Sequence, residues 1–216
     1  MSRVLQVFAK APVEGSVKTR LMPPLDARGA ASLHAALVER TLAMVTGARG
    51  IVDRVELWCA PSASHPFFAR CAQNFAITLR VQTGDDLGQR MHHALSHALG
   101  YGDVPVLIGS DCPTMSRTEI GEAFEAIAGA HEPSDIALMP TEDGGYALIG
   151  ARRVDMSLFA GIGWGGDQVY AQSLARADAL GWRVHCLRTS WDVDRPEDLV
   201  RLRALMPEML ELATAT

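Results

Sequence analysis

No stretch of this chain approaches the roughly 18 consecutive apolar residues that a membrane-spanning helix needs, so no membrane span is expected. The apolar run nearest the N-terminus, Val4–Phe8, is too short for a secretory signal, and a cytoplasmic protein is expected. Cysteine is sparse. Cys59, Cys71, Cys112 and Cys186 stand apart without CxxC spacing, which argues against a zinc site and a disulfide framework; Cys59 and Cys186 read as strand-end core residues. Positive charge is not in excess either. With 20 Lys and Arg against 25 Asp and Glu, the net charge is −5, which speaks against general nucleic-acid binding. A GxxxxGK[ST] phosphate loop is missing, as are internal repeats, low-complexity tracts and long linkers. What remains is 216 residues, 48% hydrophobic, enough to bury one large core in a single domain over residues 1–216.

Strand and helix patterns alternate along the chain. Short apolar or β-branched runs at 4–8, 55–59, 77–81, 104–108, 136–139 and 183–187 predict strands, and Tyr146–Ile149 reads as another. Helical spacing marks about 30–47, where Leu33, Leu37, Leu42 and Val45 share a face. Further helices are expected over about 87–99, 117–128, 168–180 and 196–205, with Ala213–Thr216 frayed. Such alternation predicts an α/β protein with a mainly parallel sheet covered by helices on both faces, a three-layer α/β/α arrangement.

In open α/β sheets, ligands bind at the carboxyl ends of the strands. The sequence Gly109-Ser110-Asp111-Cys112-Pro113 follows the run Val104–Ile108, placing Asp111 at such an end. A carboxylate there suits a hard divalent cation, which usually takes one or two carboxylates plus the substrate's phosphates. The competing reading is a helix cap near Ser116 or an Asx turn. Cys112 beside it could be a nucleophile, although no activating partner is evident. The loop after the first strand, Lys10–Leu21, carries Lys10, Lys18 and Arg20 around Gly15. Glycine admits close backbone approach, Lys supplies a point charge, and Arg offers a fork for phosphate oxygens. A solvated basic loop would look the same.

Three later clusters add polar groups. In Glu142-Asp143-Gly144-Gly145-Tyr146, the glycines permit a loop that wraps a sugar or phosphate, with Asp143 toward the cleft; the same residues also spell a hairpin turn. In Gly161-Ile162-Gly163-Trp164-Gly165-Gly166-Asp167, the turn and the following helix start could receive an anionic or hydroxyl-rich substrate, or Asp167 could simply cap the helix. In Trp191-Asp192-Val193-Asp194-Arg195-Pro196, Asp192 and Asp194 share one side of an extended segment and could both face a metal, although acidic residues before a helix are also ordinary start chemistry.

The order KAPxxGxVKTRL, DLGQRM, GSDCP, EDGGYALIG, GIGWGGDQV, WDVDRPEDL resembles, over nearly the whole chain, a bacterial glycosyltransferase-like family, formerly a domain of unknown function. That family is described as transferase 1 associated with radical-SAM and selenium systems. More distantly the chain is similar to 2-phospholactate guanylyltransferase and molybdenum-cofactor guanylyltransferase, which share the nucleotide-diphospho-sugar transferase fold called GT-A, a Rossmann-like architecture. The resemblance implies that the loop Lys10–Arg20, including Gly15 and Thr19, holds the nucleotide's phosphates. It implies that Asp111 binds Mg²⁺ or Mn²⁺, with Asp192 or Asp194 completing the metal site. The expected partners are a nucleotide sugar or NTP and a small-molecule acceptor. The expected reaction is glycosyl transfer from a nucleoside-diphosphate sugar, with Asp143 or Asp167 as general base and Gly144, Gly145, Tyr146, Trp164 and Gly165 contacting substrate. Nucleotidyl transfer with loss of pyrophosphate is the runner-up, and a non-catalytic nucleotide-binding module is the alternative of another class. The oligomeric state is left open.

Overall fold

The computed structural model describes residues 1–47, 50–130 and 132–214. Seven strands form one sheet: β1 (Arg3–Lys10), β2 (Arg54–Ala60), β3 (Thr78–Val81), β4 (Val104–Ile108), β5 (Ile136–Pro140), β6 (Tyr146–Ala151) and β7 (Val184–Cys186). Their order is β3-β2-β1-β4-β6-β5-β7. Neighbours run parallel except at β6, which is antiparallel to both β4 and β5. The reason is local. Only a tight turn, Thr141–Gly145, separates β5 from β6, and a tight turn can join antiparallel strands only.

Between the strands lie α1 (Ala27–Thr46), α2 (Pro66–Asn74), α3 (Leu87–Gly100), α4 (Arg117–Ala128), α5 (Val169–Ala179), α6 (Pro196–Leu205) and α7 (Pro207–Thr214). One apolar layer joins Leu5, Val7, Leu57 and Ile108 to α1, α2 and α4 through Val38, Phe68 and Phe124. The other sets Trp58, Leu107 and Ile149 against α3 and α5 through Met91, Leu95 and Ala177. Helices therefore cover both faces, and β1 is buried on both sides, as parallel central strands are. Among the described residues no helix is long and apolar enough to cross a membrane.

A third cluster decides where the chain's two ends meet. Leu21, Leu33 and Leu37 pack with Trp191, Val193, Leu202 and Leu210, so α6 and α7 close over α1. This overturns the expected fraying at Ala213, which is buried; a Cβ at Gly29 of α1 would lie 2.6 Å from its carbonyl oxygen. Ala215 and Thr216, the rest of the expected frayed end, lie outside the described residues. Helices α2 and α7 were not expected from the sequence, being short, 9 and 8 residues. Cys59 is buried as expected, but Cys186 is exposed because β7 is a three-residue strand at the sheet's edge.

Two glycines in the loops at the strand ends can be separated by substitution. Gly144 has φ +88, and a Cβ there would sit 1.9 Å from the carbonyl oxygen of Asp167; Gly15 has φ +72 but open space around it. Gly144→Ala should cost about 3 kcal/mol or more, from backbone strain plus a forced shift of the 161–167 loop, whereas Gly15→Ala should cost only about 1 kcal/mol. Urea denaturation of both variants checks this; equal losses would show that the two loops do not press on one another.

Candidate active site

The site begins with a residue in an uncommon conformation. Lys18 has φ 50, in the left-handed region that non-glycine residues seldom adopt, and it opens a single 3₁₀ turn, Thr19–Leu21. Its side chain, only 5% exposed, holds it there: Nζ lies 2.8 Å from Asp111 Oδ2 and donates to the carbonyl of Val193. The Val193 N–H in turn donates to the Asp111 carbonyl at 3.0 Å. Three segments distant in sequence are thus tied at one point: the basic loop, the end of β4 and the stretch before α6.

Asp111 is not the cap of α4. Ser116 takes that role, with the Glu119 carboxylate accepting from the Ser116 N–H at 2.8 Å. Burial would raise the Asp111 carboxyl, but Lys18, then His34 and Lys10, hold it below the ordinary carboxylate range. Beside it, Arg20 Nη1 pairs with Asp194 Oδ2 at 2.8 Å. Trp191 and Val193 are buried while Asp192 and Asp194 are not, so the two carboxylates do share one side of an extended segment. Asp192 is pushed up to about 6, first by burial, then by the negative charge of Asp143, with Asp111 and Asp194 adding to it and Lys18 opposing. Helix α6 is capped by neither: the Asp198 carboxylate accepts from the N–H groups of Asp194 and Arg195.

These groups border a cleft of about 380 Å³ at the carboxyl ends of β1 and β4, lined by Lys10, Lys18, Thr19, Arg20, Asp111 and Asp194. A hollow of about 420 Å³ opens at the opposite edge, beside Val52, Asp53, Arg54 and Phe75. Its charges are already paired, Asp53 with the Arg3 N–H and Arg54 with Asp103, which leaves little chemistry for a ligand.

Asp143 contributes to the same electrostatic cluster, acting on both Arg20 and Asp192. Its Oδ1 accepts from Thr141 Oγ1 at 2.6 Å and from the Gly145 N–H at 3.0 Å, leaving Oδ2 free among the described residues. Other expected site residues stand apart. Tyr146 turns its hydroxyl toward Met91, 3.9 Å from the sulfur, and burial raises its phenol, so it belongs to the α3 packing. Trp164 meets Tyr146 edge-on and lies against Gly88, where a Cβ would come within 2.7 Å of its ring. Asp167 is exposed and does not cap α5, whose N-cap is Gln168; its backbone carbonyl, not its carboxylate, meets the Gly144 loop. Gly165 has φ +84 and open space, and Gly15 is exposed outside the cleft lining. Cys112 is buried, its sulfur 3.0 Å from Ser190 Oγ, and among the described residues no base pairs with it to make it a nucleophile.

Sequence reasoning missed His34. It sits on α1 beside Leu33 and Leu37 and reads as part of a helical core face, yet it borders the cleft 3.9 Å from Asp111. Burial lowers its pKa, with Asp111 opposing. Among the described residues no three His, Cys, Asp or Glu side chains form a ready-made metal cage. A cation here would complete its coordination with ligand oxygens, as Mg²⁺ commonly does.

The sheet order, the antiparallel β6 and the cleft at the strand ends define a nucleotide-diphospho-sugar transferase fold of the GT-A, Rossmann-like type. Within that class, the chain belongs to the family described as uncharacterized protein conserved in bacteria (DUF2064), which matches residues 41–166. The matched span includes Asp111 and Asp143 but neither the basic loop nor the Asp192–Asp194 segment. Among solved structures, the chain is similar to a provisionally assigned nucleotide-diphospho-sugar transferase from Desulfovibrio desulfuricans G20. The two are 28% identical with TM-score 0.83, and the alignment covers 99% of this chain and 97% of that one. It is also similar to CMP:2-keto-3-deoxy-manno-octonic acid synthetase complexed with CTP, at 11% identity and TM-score 0.62, covering 96% and 99% of the two chains. A nucleotidyl transferase from Methanothermobacter is 15% identical with TM-score 0.59, covering 96% and 98%. These last two share the fold. No curated protein matches the sequence.

The carboxylate cluster has a measurable consequence. Asp192 is raised from 3.8 to about 6, so the stability of its protonated form is full below about pH 4 and lost as pH rises through about 6. In cation-free buffer, Asp192→Asn should therefore be more stable than wild type at pH 7.5, by up to about 3 kcal/mol, and the gain should vanish near pH 4. Thermal unfolding across that range measures it, and identical profiles would remove Asp192 from the cluster.

Proposed function

We propose that this protein is a divalent-cation-dependent transferase that moves a glycosyl group from a nucleoside-diphosphate sugar to a small acceptor. The observation that carries this reading is the Lys18–Asp111 pair at the strand ends, a carboxylate and an ammonium 2.8 Å apart in one cleft; the first is suited to a divalent cation and the second to a phosphate. The likeness to the Desulfovibrio protein, over nearly all of both chains, supports the substrate class.

The donor set suits Mg²⁺ or Mn²⁺: Asp111, Asp143, Asp192 and Asp194 outnumber Lys18 and Arg20 in the cluster, and all offer oxygen. Asp111, with Asp194 or Asp192, would hold the ion, whose charge when bound offsets that developing on the departing diphosphate. Lys18 spends two of its three donors on Asp111 and Val193, leaving one for a phosphate oxygen. Arg20, 59% exposed beside Asp194, extends its other guanidinium donors toward the same oxygens, with Thr19 and Lys10 on the cleft wall. The free Oδ2 of Asp143 accepts the acceptor's hydroxyl proton as the new C–O bond forms. The sugar–phosphate C–O bond breaks, and the nucleoside diphosphate leaves with its electron pair.

A thermal-shift screen tests this, since a ligand that binds only the folded state raises its apparent stability. A nucleoside-diphosphate sugar with Mg²⁺ or Mn²⁺ should raise the melting temperature. If only NTPs do so, the reaction is nucleotidyl transfer; if no nucleotide does, the transferase reading fails. Asp111→Asn keeps the side chain's shape and an oxygen to accept from Lys18 but not the counter-charge, so it should fold with a lower melting temperature than wild type and lose the cation-dependent shift. Arg20→Ala should weaken nucleotide binding by about 1.5–3 kcal/mol without unfolding the protein, measured by calorimetry; unchanged affinity would return Arg20 to the surface.

A further inference from the structure

His34 holds a buried acceptor with nothing to accept from among the described residues. Its Nε2 lies 2.9 Å from the Lys10 carbonyl oxygen. A carbonyl can only accept, so Nε2 carries the hydrogen and the neutral ring presents a bare lone pair at Nδ1. Nδ1 is buried with no hydrogen-bond partner among those residues, on a side chain 6% exposed. Across from it, at 3.9 Å, is Asp111 Oδ1, also an acceptor. Lys18 has taken the other oxygen of that carboxylate, and the described donor to Oδ1 is the Ser110 hydroxyl at a long 3.5 Å.

Two acceptors facing one another repel, and the buried one, Nδ1, is left unsatisfied, as buried polar groups seldom are. An electropositive centre between them relieves both. Donor atoms that share an ion at about 2.1 Å each stand about 3.0–3.4 Å apart when their bonds meet at about 90–110°, so from 3.9 Å the two close by about 0.5–1 Å to share one. We propose that His34 Nδ1 joins Asp111 Oδ1 in binding the divalent cation, and that this nitrogen makes the site one for Mn²⁺ in preference to Mg²⁺. The selectivity follows from ligand chemistry: imidazole suits transition-metal ions, whereas oxygen-only sets suit Mg²⁺. The inference rests on the reading that Asp111 holds the cation, and adds to it the residue that chooses which one.

The test is electron paramagnetic resonance on the full chain with Mn²⁺, alone and with inorganic pyrophosphate, followed by competition with Mg²⁺. Spin-echo modulation from nitrogen should appear in the wild type and change when histidine is labelled with ¹⁵N. His34→Gln should lose that modulation and about tenfold or more in Mn²⁺ affinity, with Mg²⁺ affinity changing by less than about twofold. Bound Mn²⁺ without nitrogen modulation, or Mg²⁺ competing on equal terms, would overturn the role of His34. If Mn²⁺ still binds in that case and Asp111→Asn abolishes it, the cation site at Asp111 stands without His34. If the wild type binds neither ion under either condition, both readings fall. Should His34→Gln not fold, the labelled wild-type spectrum alone decides.

Discussion

The contact between Lys18 and Asp111 is the one on which the rest of the cleft depends. A lysine this deeply buried needs a partner, because an uncompensated charge removed from water costs several kcal/mol. Asp111 provides it from the end of β4, and the Val193 carbonyl provides a second acceptor from near the other end of the chain. Once Lys18 is held, the backbone around it takes the left-handed turn that delivers Arg20 to Asp194. Removing either member of the pair strands a charge, so the contact shapes the loop as well as decorating it.

That contact is possible only because apolar packing brings the segments together first. Leu21 follows the basic loop, Val193 lies between the two aspartates, and both are buried in the cluster that seats α6 and α7 on α1. The polar site is thus mounted on an apolar clamp. Side chains alternate along the 191–194 segment, so burying Trp191 and Val193 turns Asp192 and Asp194 outward to the cleft. The hydrophobic effect supplies the force, and the extended backbone supplies the aim.

The Gly-rich loops follow a different logic. Gly144 lies where no Cβ fits, because the Asp167 carbonyl crosses it, and Gly88 leaves room on α3 for the Trp164 ring and Phe159. Gly144 follows Asp143 directly, so the close approach of the Asp167 carbonyl bears on the turn that carries that carboxylate. Trp164 and Tyr146, expected from the linear sequence as substrate contacts, pack edge-on against one another.

Much of this was legible from the chain alone. Strand and helix runs show themselves through hydrophobic period, so the layered α/β architecture and most element positions could be read directly; the short helices α2 and α7 carry too few turns to show a period. Asp111 announced itself by following an apolar strand, and Lys18 and Arg20 by crowding one glycine loop. Sequence therefore determined which chemical groups lie at strand ends, because that is a matter of local pattern. Only the tertiary structure decided which of them meet: Lys18 with Asp111 at the ends of neighbouring strands, Arg20 with Asp194 across nearly the whole chain, and His34, a core residue by its spacing, with the cleft. Pairings of that range leave no periodic trace in the sequence. They come from burying apolar faces that say nothing about the charges carried beside them.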